Sequence, residues 1–207
     1  MAVTIYGKSL FGSAYKFKQI RYQNNAPGGL DGVDSDVQHN LGAPGSSSMK
    51  DRKHGICCGI SIAWIIGVCH KREDAVNTTG FEAYFRDVLR FQGAYIKDFK
   101  GNVDAIDDLE GIQTQGLAKI ATGNATDDDL SGRFPATGAW AAYLGLYHHA
   151  VGIGSSGSRY LIMDPNAGLF KYKNKSDFIS DIKALCSARR DAKKGGPDFK
   201  FTIFKKI

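Results

Sequence analysis

The chain has 207 residues, enough for one well-packed domain, and its 43% hydrophobic content provides for a core of ordinary size. A net charge of +6 would suit an acidic partner, but composition does not gather that charge on one face; no nucleic-acid partner is expected, and contact with a membrane surface has no sequence support. Four cysteines, two of them adjacent, make neither a disulfide framework nor a CxxC pair, and the histidines lack the spacing of zinc ligands, so no metal and no cofactor is expected.

Residues 1–8 lack the charged leader and apolar stretch of a secretory signal, which predicts no Sec export. In residues 1–22, Tyr15, Phe17 and Gln19 alternate with Lys16, Lys18 and Ile20 after a Gly12-Ser13 turn signal, the pattern of a hairpin. Residues 23–48 then turn to Asn, Gly, Pro, Asp and Ser, which is loop chemistry. An N-terminal extension over residues 1–48 and a catalytic domain over residues 49–207 follow from that shift.

Residues 57–70 are apolar on nearly every face, as a helix buried on all sides must be. The longest uncharged stretch, residues 55–69, is too short and too rich in glycine to cross a bilayer, so a soluble protein is expected. Phe81, Phe85, Val88 and Leu89 mark an amphipathic helix; Ile106, Leu109, Ile112, Leu117 and Ile120 mark another, with a break at Gly116. Asp127-Asp128-Asp129 reads as a polar loop or helix start, since the glycine and distal glutamate of a calcium loop are missing.

After Pro135 the periodicity shortens. Residues 143–147, 149–153 and 159–163 read as strands, the last two forming an antiparallel hairpin across Gly154-Ser155-Ser156-Gly157-Ser158. Asp164-Pro165-Asn166-Ala167-Gly168 ends the second strand of that hairpin. A surface helix over residues 176–187 with Ser176 as N-cap, a solvated basic helix end at Arg189-Arg190-Asp191-Ala192-Lys193-Lys194, and a closing strand over residues 199–203 complete the chain. Helices first and sheet second make the class α+β.

The chemistry lies in a few of these residues. A thiolate, not a thiol, is the nucleophile, and a helix N-terminus beside an imidazolium lowers a thiol's pKa. Cys57 and Cys58 both open the apolar helix, and adjacent helical side chains diverge by about 100°, so only one can face a cleft. His148 and His149 raise the same alternative on a strand, where neighbours face opposite ways. A hairpin brings its open ends together, so Asp164 can reach a histidine that starts the first strand and hold it in one tautomer. A buried cysteine alone is more often an inert small hydrophobe, a strand histidine is usually structural, and an aspartate before proline usually serves a turn. Together, in the order Cys, His, Asp, they point to thiol catalysis. Trp64, Trp140 and Tyr143 read as core aromatics, and His39, His54 and His70 as surface residues.

At these residues the chain resembles the YopT and AvrPphB family of bacterial effector cysteine proteases. Gly55-Ile56-Cys57 followed by Ile60-Ser61 and Trp64 is similar to that family's nucleophile motif, His149-Ala150-Val151 to its histidine motif, and Asp164-Pro165-Asn166 with Gly168 to its aspartate motif. The resemblance selects Cys57 over Cys58 and His149 over His148, and implies a papain-like fold with a central nucleophile helix packed on an antiparallel sheet with further helices. It further implies a Cys57–His149–Asp164 triad, a protein substrate, and a secreted or injected toxin acting in a target cell's cytosol; an inhibitor or immunity protein is left open as a second partner. The backbone N–H of Cys57 would form part of the oxyanion hole. Papain-like enzymes usually place an amide side chain five or six residues before the nucleophile, where this chain has Arg52 and Asp51. Arg52 donates instead, or Gln38 or Asn40 from the upstream loop does, or the hole is incomplete. The same triad would also serve a glutamine deamidase or transamidase or a peptidoglycan amidase, and a binding module with a vestigial thiol is the non-enzymatic alternative.

Overall fold

The computed structural model describes residues 13–16, 57–71, 87–88, 91, 115–146, 149–165, 167–193, 195–196 and 198–207. Seven strands form one sheet: β1 (Ser13–Lys16), β2 (Leu117–Ala125), β3 (Ala139–Gly145), β4 (Ala150–Ser156), β5 (Tyr160–Asp164), β6 (Gly168–Tyr172) and β7 (Phe199–Lys206). They lie side by side in the order β1-β6-β5-β4-β3-β7-β2, every neighbouring pair antiparallel. Helices α1 (Cys57–Cys69) and α2 (Lys175–Lys193) pack on opposite faces of the sheet, and a 3-10 turn spans Leu130–Arg133. The architecture is α+β, with the apolar helix central as its composition implies.

Strand alternation divides the core between the two faces. On β3, Ala141 and Tyr143 join the cluster around α1, whereas Trp140, Ala142 and Leu144 join the cluster around α2. On β5, Leu161 and Met163 face α1 and Ile162 faces the α2 side. All residues of α1 are buried, which compensates for a sequence of Gly, Ile, Val and Trp with modest intrinsic helix preference. Trp64 of α1 lies against β4 where Gly152 has no side chain: a Cβ there would come within 2.5 Å of the indole. The three aromatics expected in the core, Trp64, Trp140 and Tyr143, are all buried.

The helix expected to run through Leu117 and Ile120 is corrected. Those residues belong to β2, an edge strand paired along its length with β7, and Gly116 at φ +65° turns the chain into it. Pairing advances from Lys119 to Ala121 while β7 advances by one residue, so Ile120 is an extra residue in a bulge and is exposed. The three-residue spacing from Leu117 therefore reflects no helical face. Ile106, Leu109 and Ile112, like Phe81, Phe85 and Leu89, lie outside the described residues.

The residues expected as a hairpin near the N-terminus supply β1, which pairs with β6; Ser13, read as part of a turn, is its first residue, and residues 17–22 lie outside the described residues. The second helix also differs from expectation at both ends. It begins at Lys175, so Ser176 is inside its first turn rather than its cap, and Asn174 precedes it, donating from Nδ2 to Asp177 at 3.3 Å. It continues past residue 187 to Lys193. Asp127 and Asp128 in the polar turn before the 3-10 segment accept from Arg190 (3.3 Å) and Lys183 (2.8 Å) of α2. No helix among the described residues is long and apolar enough to cross a membrane.

Candidate active site

Cys57 is the first residue of α1, where backbone N–H groups lack helical partners and the helix dipole presents its positive end. Its neighbour Cys58 turns toward the sheet, where its Sγ lies 3.0 Å from the Tyr143 hydroxyl of β3. The two thiols differ in what else they meet: Cys58, which hydrogen-bonds Cys57, reaches a core tyrosine, and Cys57 meets the imidazole of His149.

His149 stands at the neck of the β3–β4 turn. Its backbone N–H donates to Leu146 at 3.1 Å and its carbonyl accepts from Leu146 at 2.7 Å, which fixes where its ring begins. Nε2 lies 2.8 Å from Asp164 Oδ1, so Nδ1 is the ring nitrogen left for the thiol. Asp164 is the last residue of β5 and is fully buried. It shares the alternation of Ile162, on the α2 side, and its carbonyl accepts from Ala167 at 3.0 Å in the turn to Gly168. Gly168, at φ +129°, re-enters the sheet from a backbone conformation that suits glycine.

The electrostatics follow from this chain of contacts. Hydrogen bonding from Cys58, then hydrogen bonding and charge from His149, hold the Cys57 thiol well below its ordinary range, although burial opposes them. Burial is the largest single influence on His149 and would lower its pKa. The hydrogen bonds and charges of Asp164 and Cys57 together outweigh it and raise the ring to about 9. Burial has the opposite outcome at two thiols away from the site: Cys69 and Cys186 are each pushed up to about 12. A thiolate–imidazolium pair backed by a carboxylate is the arrangement that attacks a carbonyl carbon.

Cys57, His149 and Asp164 are therefore brought together. Gln38, Asn40 and Arg52, the candidate oxyanion donors, lie outside the described residues, as do His39, His54 and His148. His70, just past α1, faces the Gln115 carbonyl through Nε2 at 2.9 Å. Among the described residues no group of three His, Cys, Asp or Glu is arranged to hold a metal ion.

Sequence reasoning missed Arg189. It was expected on a solvated helix end, yet its Nη2 lies 3.6 Å from Asp164 Oδ2 and its side chain is only 15% exposed. A signal was present: Phe178, Ile182, Leu185 and Cys186 recur on one stripe of α2, and Arg189 falls one turn further along it.

No family model matches the chain and no curated protein matches it in sequence. Among solved structures, the chain is similar to the Pseudomonas avirulence protein AvrPphB, with 17% identity, a TM-score of 0.52, and coverage of 84% of this chain and 97% of that one. It also matches PatoxP, a cysteine protease-like domain of the Photorhabdus asymbiotica toxin PaTox, at 13% identity and a TM-score of 0.42 over 90% of this chain and 56% of that one. A ubiquitin-specific protease encoded by a murine cytomegalovirus tegument protein, solved with a ubiquitin-based suicide substrate, matches at 16% identity and a TM-score of 0.40 over 73% of this chain and 78% of that one. The fold is that of AvrPphB, the papain-like arrangement of a central helix on an antiparallel sheet that the motifs implied.

Proposed function

We propose that this protein is a cysteine protease that uses Cys57 as nucleophile, His149 as proton carrier and Asp164 as the group that orients the imidazole. The observation that carries this reading is the buried 2.8 Å contact of Asp164 with Nε2 of a histidine whose ring also engages the thiol at the start of α1. The Cys57 sulfur attacks a peptide carbonyl carbon, forming an S–C bond while the carbonyl oxygen takes the negative charge. The N–H of Cys57 faces that oxygen, and a second donor comes from Gln38, Asn40 or Arg52. The His149 imidazolium gives its proton to the leaving amine as the C–N bond breaks. Water then loses a proton to His149 and attacks the thioester; the acid is released as the S–C bond breaks, and the thiolate–imidazolium pair is restored.

The working unit of this reading is residues 49–207, with β1 adding a strand from the preceding segment. Its substrate is a protein in a target cell to which the chain is delivered; the likeness of its fold to an avirulence protein supports this reading. Expressing wild type and Cys57→Ser in cultured target cells and comparing proteome N-termini tests it. New N-termini with the wild type alone are expected. Identical N-termini and equal toxicity would overturn the protease reading, and a change in the mass of a target glutamine without chain cutting would replace it with deamidation.

A further inference from the structure

Asp164 has two oxygens and the described residues bring a different cationic group to each. Oδ1 meets Nε2 of His149, just before β4, at 2.8 Å; Oδ2 meets the guanidinium of Arg189, from α2, at 3.6 Å. The second distance is that of an ion pair rather than a hydrogen bond. The neighbouring cations of α2 are engaged elsewhere, Lys183 with Asp128 and Arg190 with Asp127. Arg189 alone of these turns into the sheet, on the apolar stripe of the helix, and its Nε is buried with no hydrogen-bond partner among the described residues.

A fully buried carboxylate is costly unless charge and hydrogen bonds compensate it on both sides. His149 supplies one side, but it is also the group that must give up its proton during turnover. A cation that never deprotonates is needed on the other if the carboxylate is to remain ionised and fixed in rotation throughout.

We propose that Arg189 is a positioning residue of the Cys57–His149–Asp164 site: its guanidinium holds the Oδ2 side of the buried carboxylate, so that Oδ1 stays on Nε2 of His149 and the carboxylate stays charged. This rests on the thiol-hydrolase reading. It makes α2, on the far side of the sheet from the nucleophile helix, part of the machinery that sets the thiolate.

The sign of the effect is fixed by charge. Removing a cation beside Asp164 makes the carboxyl, and the thiolate that it supports through His149, take up protons more readily. The test is the pH dependence of Cys57 alkylation by iodoacetamide, read by peptide mass in wild type, Arg189→Met, Arg189→Gln and Arg189→Lys, with thermal melting alongside. In the two neutral variants the acid limb is expected to move up by about one pH unit, the lower end for a charge at this range. The rate at a pH on that limb then falls about tenfold. Arg189→Lys, which keeps the charge, is expected to return most of that loss. Neutral variants that melt earlier but keep the wild-type limb would overturn the proposal and leave Arg189 a structural cation. That result differs from failure of the underlying reading, in which wild-type Cys57 would react no faster than Cys69 or Cys186 and would be indifferent to His149→Ala; that outcome would overturn both.

Discussion

His149 carries a proton that Asp164 and Cys57 both favour, and this sets the pH behaviour of the site. With an ordinary value of 6.5 raised to about 9, the protonated ring stabilises the fold fully below 6.5, and that contribution is lost as pH rises through about 9. Cys57 moves oppositely: its charged form contributes above the ordinary 9.0 and is lost as pH falls through its lowered folded value. The thiolate–imidazolium pair therefore occupies the window between that lowered value and about 9. Peptide hydrolysis is expected to decline above about pH 9, and Cys57 alkylation to titrate well below 9.0. An alkylation limb at the ordinary thiol value would refute the pairing. At Asp164, an amide oxygen can still accept from Nε2 whereas a methyl cannot, so Asp164→Asn should retain more activity than Asp164→Ala. Loss of a charge-assisted bond of about 1.5–3 kcal/mol would lower kcat/KM by about tenfold to a hundredfold in the alanine variant. Equal losses in both would show that charge alone, not the hydrogen bond, matters.

At the scale of elements, each helix makes a contact with the sheet that tolerates little change. For α1 it is Trp64 over Gly152. Gly152→Ala places a methyl 2.5 Å from the indole, and overpacking of this kind costs about 1–3 kcal/mol. Denaturant unfolding should show that loss, and Trp64→Phe in the same chain should recover part of it because the two positions share the same space. For α2 it is the Tyr172 hydroxyl, which donates to Asp181 Oδ2 at 2.8 Å beneath the helix. Burial raises the Asp181 carboxyl pKa, so the charge is a cost at neutral pH while the hydrogen bond is a gain. Asp181→Asn keeps the acceptor without the charge and is expected to match or exceed wild-type stability at pH 7. Asp181→Ala leaves the phenol unsatisfied and should lose about 1–3 kcal/mol. If the asparagine variant melted as early as the alanine variant, the ionised carboxylate would be the stabilising form.

Across the whole molecule, β7 is the strand on which the sheet depends. It lies between β3 and β2, and Phe199, Phe201, Ile203 and Phe204 fill both faces from it. A chain ending at Asp198 would lose these side chains and leave β2 with no described partner. Such a chain is expected to show no cooperative thermal transition, and a sharp transition near that of wild type would contradict this role. The same element shows where local sequence stops informing. Alternation in residues 199–203 marks a strand but says nothing about which two strands it joins, and β2, its partner, carries mostly exposed residues and a bulge that mimics helical spacing. Strands closed by short turns were legible because turn chemistry and pairing are adjacent in sequence: β4 and β5 join at Gly157, which adopts φ +93°.

The sequence by itself determined the central buried helix, because apolar residues on every face allow no other position, and it determined the short-range hairpin that carries His149 toward Asp164. It offered two cysteines and two histidines without a residue-level reason to prefer one. Only the tertiary structure shows what each thiol meets: Cys58 reaches the Tyr143 hydroxyl of β3 and hydrogen-bonds Cys57, whereas Cys57 also engages the imidazole of His149. It also decided that Arg189, a cation in a basic run, faces the buried carboxylate and not water. The physical reason is common to these cases. Periodicity and turn chemistry act over a few residues and are written locally, whereas the partner of a thiol, an edge strand or a buried cation is chosen by segments far away in the chain that meet only when the sheet closes.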